Sequence, residues 1–266
     1  MLYDIFNFFP NRICIVLKNN INQEELNVLE EIRLRNNKNI ILKFGHKEKI
    51  LKYIITSNDI LETLQIICEN SIYSYQKEIS EGYLTIRGGH RIGITGSCVI
   101  ENDKVININY ISSLNFRVAR QVVGCSNNVM WDIINKEQNL VYNTLIVSLP
   151  GAGKTTLLRD IIRNISNGNK QFPGLTVGVV DERGEIAASY KGIPQNDIGI
   201  RTDVISNVPK YIGMKMLVRS MAPQVIAADE IGGPEDINAI REIICSRYKR
   251  HFYSTWSKFR RDFTKQ

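Results

Sequence analysis

The 266-residue sequence predicts an α/β protein in which a smaller α+β domain precedes a domain built on a parallel sheet. Strand candidates alternate with helix candidates from residue 139 onward, which is typical of βαβ units. The strands are at 145–147, 175–180 and 224–228, and the helices at 154–165, 210–221 and 234–245. Strand-like runs before residue 120 are instead separated by turn signals, which favour an antiparallel sheet. We therefore predict an N-terminal domain and linker over 1–125, a second domain over 126–245, and an atypical tail over 246–266.

The N-terminal elements follow from local patterns. A short acidic helix is expected over 23–31, and a β-hairpin over 32–44. Residues 57–69 predict a helix that begins at Ser57 or Asn58 and has four apolar residues on one face: Ile60, Leu61, Leu64 and Ile67. The run 83–110 predicts a small antiparallel sheet, and 111–120 one more strand followed by a linker.

Composition sets limits on the class of protein. Hydrophobic residues make up 43% of the chain and charged residues 23%, as in globular domains. No run of 18 apolar residues occurs, and residues 1–20 lack a small-residue cleavage site, so we expect neither a membrane span nor a secretory signal. The five cysteines never form a Cys-x-x-Cys pair, which predicts reduced thiols in a cytosol and no zinc site.

The net charge of +7 is unevenly distributed. Residues 246–266 contain seven Lys or Arg and one Asp, so the first 245 residues carry a net charge of only about +1. A surface that follows a phosphate backbone needs a strong basic bias. We therefore expect no nucleic acid partner, although a motor that moves on a single strand through a basic, aromatic channel is an alternative.

Residues 145–157 carry the most informative motif. An apolar run leads into a glycine-bearing loop and then into a predicted helix, the context of a phosphate-binding P-loop. Lys154 would reach the β- and γ-phosphates of a nucleotide, and the Thr155 hydroxyl would hold Mg²⁺. Serine replaces the first glycine of the pattern, which is expected to strain the loop. The predicted nucleotide-binding residues are Ser148, Pro150, Gly151, Ala152, Gly153, Lys154, Thr155 and Thr156.

Two acidic clusters follow apolar strands downstream. Asp181 and Glu182 come after the strand at 175–180, and Asp229 and Glu230 end a run typical of a Walker B strand. Carboxyl ends of parallel strands beside a P-loop are where nucleotide-bound Mg²⁺ lies, so Asp181 and Asp229 are predicted to join Thr155 as metal ligands. Glu230 is predicted to orient or deprotonate the attacking water.

Phosphoryl transfer also needs positive charge near the γ-phosphate. The candidates are Arg117, Arg120, Arg201 and Arg219. His90, in Gly-Gly-His-Arg, is expected to be a turn residue.

Seven segments of the chain together resemble stage III sporulation protein AA. They span residues 71–76, 88–96, 111–120, 150–160, 180–186, 192–204 and 219–232. The resemblance implies a RecA-like P-loop ATPase similar to the motor ATPases of type II and type IV secretion and pilus systems. It implies that Asp181 and Glu182 form the acidic box, with Glu182 catalytic, and that Arg117 and Arg120 reach the nucleotide from the N-terminal domain or linker.

The resemblance also implies the setting of the activity. The cofactors would be ATP and Mg²⁺, and the assembly a homo-hexamer. The protein would act in the cytoplasm of the mother cell and reach the membrane only through channel proteins of the sporulation operon. A nucleotide-binding interaction protein without turnover is a further alternative, favoured by Ser148 and by the unusual tail.

The tail departs from the family pattern. After the helix that ends near Ile244, the family continues with Ala-Gly, an apolar strand and Thr-Ala-His-Gly. Dropping one nucleotide from a permitted coding of residues 246–256 gives Ala-Gly-Ile-Lys-Gly-Ile-Phe-Thr-Ala-His-Gly, so we interpret 246–266 as a frameshift product. The frameshift predicts that the sheet loses a strand. The alternative is an amphipathic helix with aromatic residues at helical spacing, namely Tyr248, Phe252, Trp256, Phe259 and Phe263.

Overall fold

A computed structural model describes residues 2–135, 140–245 and 251–256 of the chain. The chain divides into two units, Met1–Arg120 and Gln121–Gln266. The first unit contains six strands and four α-helices, besides 3₁₀ turns at Leu2–Phe8 and Ile72–Tyr75. These elements are β1 (Glu31–Arg35), β2 (Asn39–Phe44), β3 (Lys47–Ile54), β4 (Tyr83–Thr85), β5 (Arg91–Glu101), β6 (Lys104–Arg117), α1 (Asn11–Asn20), α2 (Gln23–Val28), α3 (Ser57–Ile67) and α4 (Gln76–Ser80).

The six strands form one antiparallel sheet in the order β3-β2-β1-β6-β5-β4. Alternate residues of a strand face opposite sides, and in β1 Ile32 and Leu34 are buried while their neighbours are half-exposed. The buried face packs in one core with residues of α1 and α3, such as Leu17 and Leu64. The runs predicted as a small sheet and a separate strand therefore belong to one larger sheet.

Helix α3 begins one residue after Thr56, whose hydroxyl and Asp59 form a capping box. Ile60, Leu64 and Ile67 are buried, as predicted. Leu61 was predicted on the same face but is 50% exposed, because the buried face is narrower than the sequence pattern indicated. Helices α1 and α4 were not predicted.

The second unit contains nine described strands and four α-helices. They are β7 (Ile134–Asn135), β8 (Leu140–Val141), β9 (Thr144–Val147), β10 (Gly168–Asn169), β11 (Phe172–Pro173), β12 (Val177–Asp181), β13 (Thr202–Ser206), β14 (Val225–Ala228), β15 (His251–Trp256), α5 (Met130–Ile133), α6 (Lys154–Asn167), α7 (Lys210–Ser220) and α8 (Pro234–Cys245). The three strands and three helices predicted after residue 139 correspond to β9, β12, β14, α6, α7 and α8.

The main sheet of this unit is parallel, in the order β13-β12-β14-β15-β9. One face packs against α6, where Leu158 and Ile162 contact the core that contains Val179. The other face packs against α7 and α8, where Met214 and Ile243 join Val180. The sheet is thus covered by helices on both faces, and the carboxyl ends of β12 and β14 lie at the same edge.

The structure changes two expectations about the sequence after Cys245. His251–Trp256 is strand β15, which pairs in parallel with β14 and β9. The predicted loss of a strand is therefore wrong, and so is the amphipathic helix over 251–256. The other predicted helix positions, Tyr248, Phe259 and Phe263, lie outside the described residues.

β15 follows α8 in the chain, where the family resemblance implies an apolar strand. The frameshift itself stays a prediction. Within the described part of the chain, no helix has the length and apolar character needed to cross a membrane.

Candidate functional site

The P-loop joins the edge strand β9 to helix α6. Gly151 has φ +76° and Gly153, which precedes the first helical residue, has φ +85°. Residues that have a side chain rarely adopt this left-handed backbone conformation. The two glycines adopt it readily, which allows the tight turn from the loop into the helix. Apart from its two chain neighbours, no described residue has an atom within 4 Å of where a Cβ atom would lie at either glycine, so the loop backbone faces open space in the described part of the chain. The first turn of α6 directs N–H groups toward this space, as an anion requires.

Lys154 and Ser148 lie at the two ends of this loop. The Lys154 ammonium group donates to the carbonyl oxygens of Ser148 at 3.1 Å and of Leu149 at 2.9 Å. The Ser148 hydroxyl donates to the Leu149 carbonyl at 3.3 Å. The loop therefore holds the lysine head group beside the backbone that would surround a phosphate, with Pro150, Gly151 and Ala152 exposed between them.

Thr155 connects the P-loop with the Walker B strand. Its hydroxyl donates to Asp229 Oδ2 at 3.0 Å, across 74 residues of sequence. Asp229 directly follows β14, and its Oδ1 accepts the Glu230 N–H at 2.9 Å. Two of the three predicted metal ligands, Thr155 and Asp229, are thus brought together, and Thr156 is half-buried one residue further along α6.

Glu230 has a left-handed backbone, with φ +39°, which is uncommon for a residue with a side chain. Its Oε2 accepts a hydrogen bond from the Arg183 guanidinium at 2.7 Å. Both side chains are partly exposed, so this ion pair contributes little to folding stability. In the structure the Glu230 carboxylate points toward Arg183.

Asp181 is 1% exposed at the end of β12. Its Oδ1 accepts the N–H groups of Glu185 at 2.8 Å and Ile186 at 3.1 Å, and its Oδ2 accepts that of Ala187 at 2.8 Å. Burial raises the pKa of Asp181 above its ordinary value, although these three N–H groups act in the opposite direction. Both oxygens are thus engaged by the loop that follows the strand, which we call the acidic loop (residues 182–187).

Glu182 forms an ion pair with Lys210, the first residue of α7. Lys210 is 8% exposed, so its charge depends on this carboxylate for compensation. The two residues line a cleft of about 410 Å³ at the carboxyl edge of the sheet, together with Arg183, Glu230 and residues at the start of α8.

The four predicted arginines belong to different elements of the chain. Arg117 is exposed at the end of β6, and Arg120 donates to the Leu29 carbonyl, so both belong to the N-terminal unit. Arg201 donates to the carbonyl oxygens of Ser166 and Asn167, where it caps the end of α6. Arg219 is exposed at the end of α7.

His90 ends the turn between β4 and β5, where its carbonyl oxygen accepts the Ile86 N–H at 2.9 Å, and its side chain is buried. Its Nδ1 accepts the Ala119 N–H at 3.0 Å.

Three side chains at the site were missed by sequence reasoning: Arg159, Arg183 and Lys210. Arg159 and Arg183 lie inside the segments 150–160 and 180–186 that carry the family resemblance. The signal in the sequence that could have identified them was a positively charged residue close to an acidic cluster. The partner of each of these cations could not be identified from the sequence, because the two residues in each contact are 26 or more positions apart.

The donor set fits Mg²⁺ bound together with a nucleotide. No group of three or more His, Cys, Asp or Glu residues able to hold a metal occurs among the described residues. Magnesium in nucleotide sites usually relies on one or two carboxylates, with phosphates and water completing its octahedral shell. Asp229 is such a carboxylate, and the Thr155 hydroxyl, 3.0 Å from it, is a second oxygen ligand that a P-loop offers to Mg²⁺.

The fold is similar to that of solved α/β proteins described as ATPases and as a pilus retraction motor. The ATPase DotB from Legionella pneumophila matches with a TM-score of 0.61 at 17% identity, over 95% of this chain and 67% of that one. DotB from Yersinia pseudotuberculosis matches with a TM-score of 0.56 at 14% identity, over 86% and 61%. The pilus retraction motor PilT with bound ADP matches with a TM-score of 0.55 at 13% identity, over 89% and 65%. This chain thus spans less than two thirds of the latter two chains.

The chain belongs to the family described as sporulation stage III, protein AA, whose model matches residues 3–249. Stage III sporulation protein AA of Bacillus subtilis (strain 168) is 41% identical over 216 residues, which cover 81% of this chain and 69% of that protein. The predicted family is therefore confirmed.

Proposed function

We propose that this chain is an ATPase with a RecA-like P-loop domain that hydrolyses ATP at the carboxyl edge of its parallel sheet. The contact between Thr155 and Asp229 at 3.0 Å carries the proposal, because it joins the P-loop and the Walker B strand in one site. The likeness to proteins described as ATPases and as a pilus retraction motor supports the same activity.

The residues have the following proposed roles. The backbone of residues 151–155 and the Lys154 ammonium group bind the phosphates of ATP. Thr155 and Asp229 hold Mg²⁺, which neutralises charge on the phosphates when it is bound. Glu230 orients the attacking water and accepts its proton, since it directly follows the metal-binding carboxylate.

In the acidic box, Asp181 has a different proposed role from the predicted one, and Glu182 keeps its predicted role. Asp181 was predicted as a metal ligand, but both of its oxygens accept N–H groups of the acidic loop. We propose that Asp181 shapes this loop. Glu182, held by Lys210, is the second catalytic carboxylate at the cleft.

We further propose the setting that the family implies. The chain works as a homo-hexamer in the mother-cell cytoplasm and energises a secretion-like channel during endospore formation. It reaches the membrane through channel proteins of the sporulation operon, and no nucleic acid takes part. Arg117 and Arg120 supply positive charge to the nucleotide when domains or subunits close over the site.

Two substitutions separate binding of ATP from its hydrolysis. Lys154→Ala is expected to weaken Mg-ATP binding by about 100-fold or more, because it removes the ammonium group next to the phosphates. Glu230→Gln is expected to keep affinity within about threefold and to lower turnover by about 100-fold, because it removes the base and keeps the phosphate cradle. Lys170→Ala is the matched control, since this exposed lysine lies in a turn of the same unit.

Affinity is measured with a fluorescent nucleotide and turnover by phosphate release, each with and without single-stranded DNA. Unchanged affinity in the Lys154 variant would exclude the P-loop assignment. Wild-type binding without turnover would favour an interaction protein, and strong stimulation by DNA would favour a nucleic-acid motor.

A further inference from the structure

Arg159 reaches from the P-loop helix to the acidic loop. It lies on α6, five residues after Lys154, and its guanidinium is half-buried. Nε donates to the Ile186 carbonyl at 2.9 Å, and a terminal nitrogen donates to the Glu185 carbonyl at 2.7 Å. The guanidinium therefore makes two charge-assisted hydrogen bonds to adjacent peptide groups, in the fixed fork geometry that arginine provides.

Asp181 holds the same peptide groups through their N–H atoms. Its carboxylate accepts the N–H groups of Glu185, Ile186 and Ala187. Arg159 donates to the carbonyl oxygens of Glu185 and Ile186. The Ile186 carbonyl also accepts from the Asn196 amide at 2.7 Å. A short loop is thus fixed on both sides by opposite charges from two different elements, the end of β12 and the middle of α6.

The position of Arg159 also balances the charge of the site. Burial lowers the pKa of Arg159, and the nearby carboxylates of Asp181 and Asp229 act in the opposite direction. The guanidinium is therefore the counter-charge that α6 itself provides for the two aspartates at the strand ends.

The acidic loop carries one proposed catalytic carboxylate, Glu182, and one residue, Arg183, that contacts the other. Its Glu182 pairs with Lys210, and its Arg183 holds the Glu230 carboxylate at 2.7 Å. A continuous set of contacts consequently runs from α6 through Arg159 and the acidic loop to Glu230. The P-loop motif itself does not require Arg159, because Lys154 and Thr155 account for phosphate and metal binding.

We propose that Arg159 is a positioning residue that couples the P-loop helix to the acidic loop and, through Arg183, fixes the orientation of Glu230. The catalytic part of this inference rests on the proposed ATPase function. The structural part, the coupling of α6 to residues 185–187, stands on contacts that need no nucleotide.

Hydrogen exchange tests the structural part in the full chain without nucleotide. In Arg159→Gln the amides of Glu185, Ile186 and Ala187 are expected to exchange about tenfold faster, because the loop loses two charge-assisted hydrogen bonds. Arg159→Lys keeps the charge but can bind only one carbonyl well, and should show an intermediate rate.

Arg163→Gln is the matched control. Arg163 lies about one turn further along α6 and bonds Asp160 at 2.8 Å instead of the acidic loop, so exchange at 185–187 should not change. Equal exchange in Arg159→Gln and wild type would overturn the proposal.

Kinetics test the catalytic part. Arg159→Gln is expected to lower kcat by about 10- to 100-fold with KM for ATP within about threefold, and Arg159→Lys should recover part of kcat. A general loss of structure would change KM and tryptophan fluorescence as well. Unchanged kcat in Arg159→Gln would overturn the link to Glu230. If the wild-type chain binds ATP without turnover, the proposed function fails, and hydrogen exchange alone then decides the coupling.

Discussion

Replacing Asp160 is expected to destabilise the second unit strongly. Its carboxylate is 1% exposed on α6 and anchors the first residues of this unit. It accepts the Gly124 N–H at 3.0 Å, the Ser126 N–H at 2.8 Å, the Ser126 hydroxyl at 2.7 Å and the Arg163 guanidinium at 2.8 Å. Gly124 and Arg163 keep access to water, but Ser126 is 0% exposed.

The size of the expected loss in the free energy of unfolding follows from the groups that lose their hydrogen-bond partner. Asp160→Ala leaves two buried donors of Ser126 without their acceptor, and each such donor costs about 1–3 kcal/mol. The expected loss is therefore about 3 kcal/mol in the free energy of unfolding. The control is Asp132→Ala on α5, which is exposed and should change stability by less than about 0.5 kcal/mol.

Urea unfolding followed by tryptophan fluorescence measures this loss. The two tryptophans of the chain, Trp131 and Trp256, both belong to the second unit, so the signal reports on that unit. A loss below about 1 kcal/mol for Asp160→Ala would refute the reasoning, because the buried donors of Ser126 would then have found other partners.

The pH dependence of stability in a second variant, Asp160→Asn, adds another check. Burial alone would raise the pKa of Asp160, but the donors from Ser126, Gly124 and Arg163 outweigh it and hold the pKa below its ordinary value of 3.8. The ionised carboxylate is thus favoured by folding, so its contribution is present above 3.8 and is lost as the pH falls through the lower folded value. The stability difference between wild type and Asp160→Asn should accordingly shrink below that pH.

Two further predictions concern the tail and the assembly. Replacing residues 246–256 by Ala-Gly-Ile-Lys-Gly-Ile-Phe-Thr-Ala-His-Gly should raise the free energy of unfolding by about 2 kcal/mol and should raise turnover, because Ile and Ala then replace His251 and Ser254 in a strand that lies between two parallel neighbours. Equal stability and turnover in both chains would show that the tail is a genuine functional element. Arg117→Ala or Arg120→Ala should lower kcat by about 100-fold or more with ATP affinity nearly unchanged, and wild-type specific activity should rise with protein concentration. Full rates in both variants and no effect of dilution would contradict an oligomeric motor.

The sequence by itself was sufficient for features that depend on neighbouring residues. Strand, glycine loop and helix signals coincide within residues 145–157, so the strand–loop–helix arrangement of the proposed P-loop was predictable from local signals alone. The apolar run before Asp229 likewise predicted both the strand and the edge at which its carboxylate lies. The helices α6, α7 and α8 follow from their 3.6-residue periodicity for the same reason.

Other features were decided only by tertiary structure. β13 was not predicted, because all five of its residues are half-buried at a sheet edge and give no clear alternation. The sequence also could not show that Asp181 points into its own loop while Asp229 faces Thr155, since both follow apolar strands in the same way. Each carboxylate takes the donors that the packed elements bring to it, and these donors come from distant parts of the chain. Local pattern therefore determined which groups reach the edge of the sheet, and long-range packing determined the partner of each one.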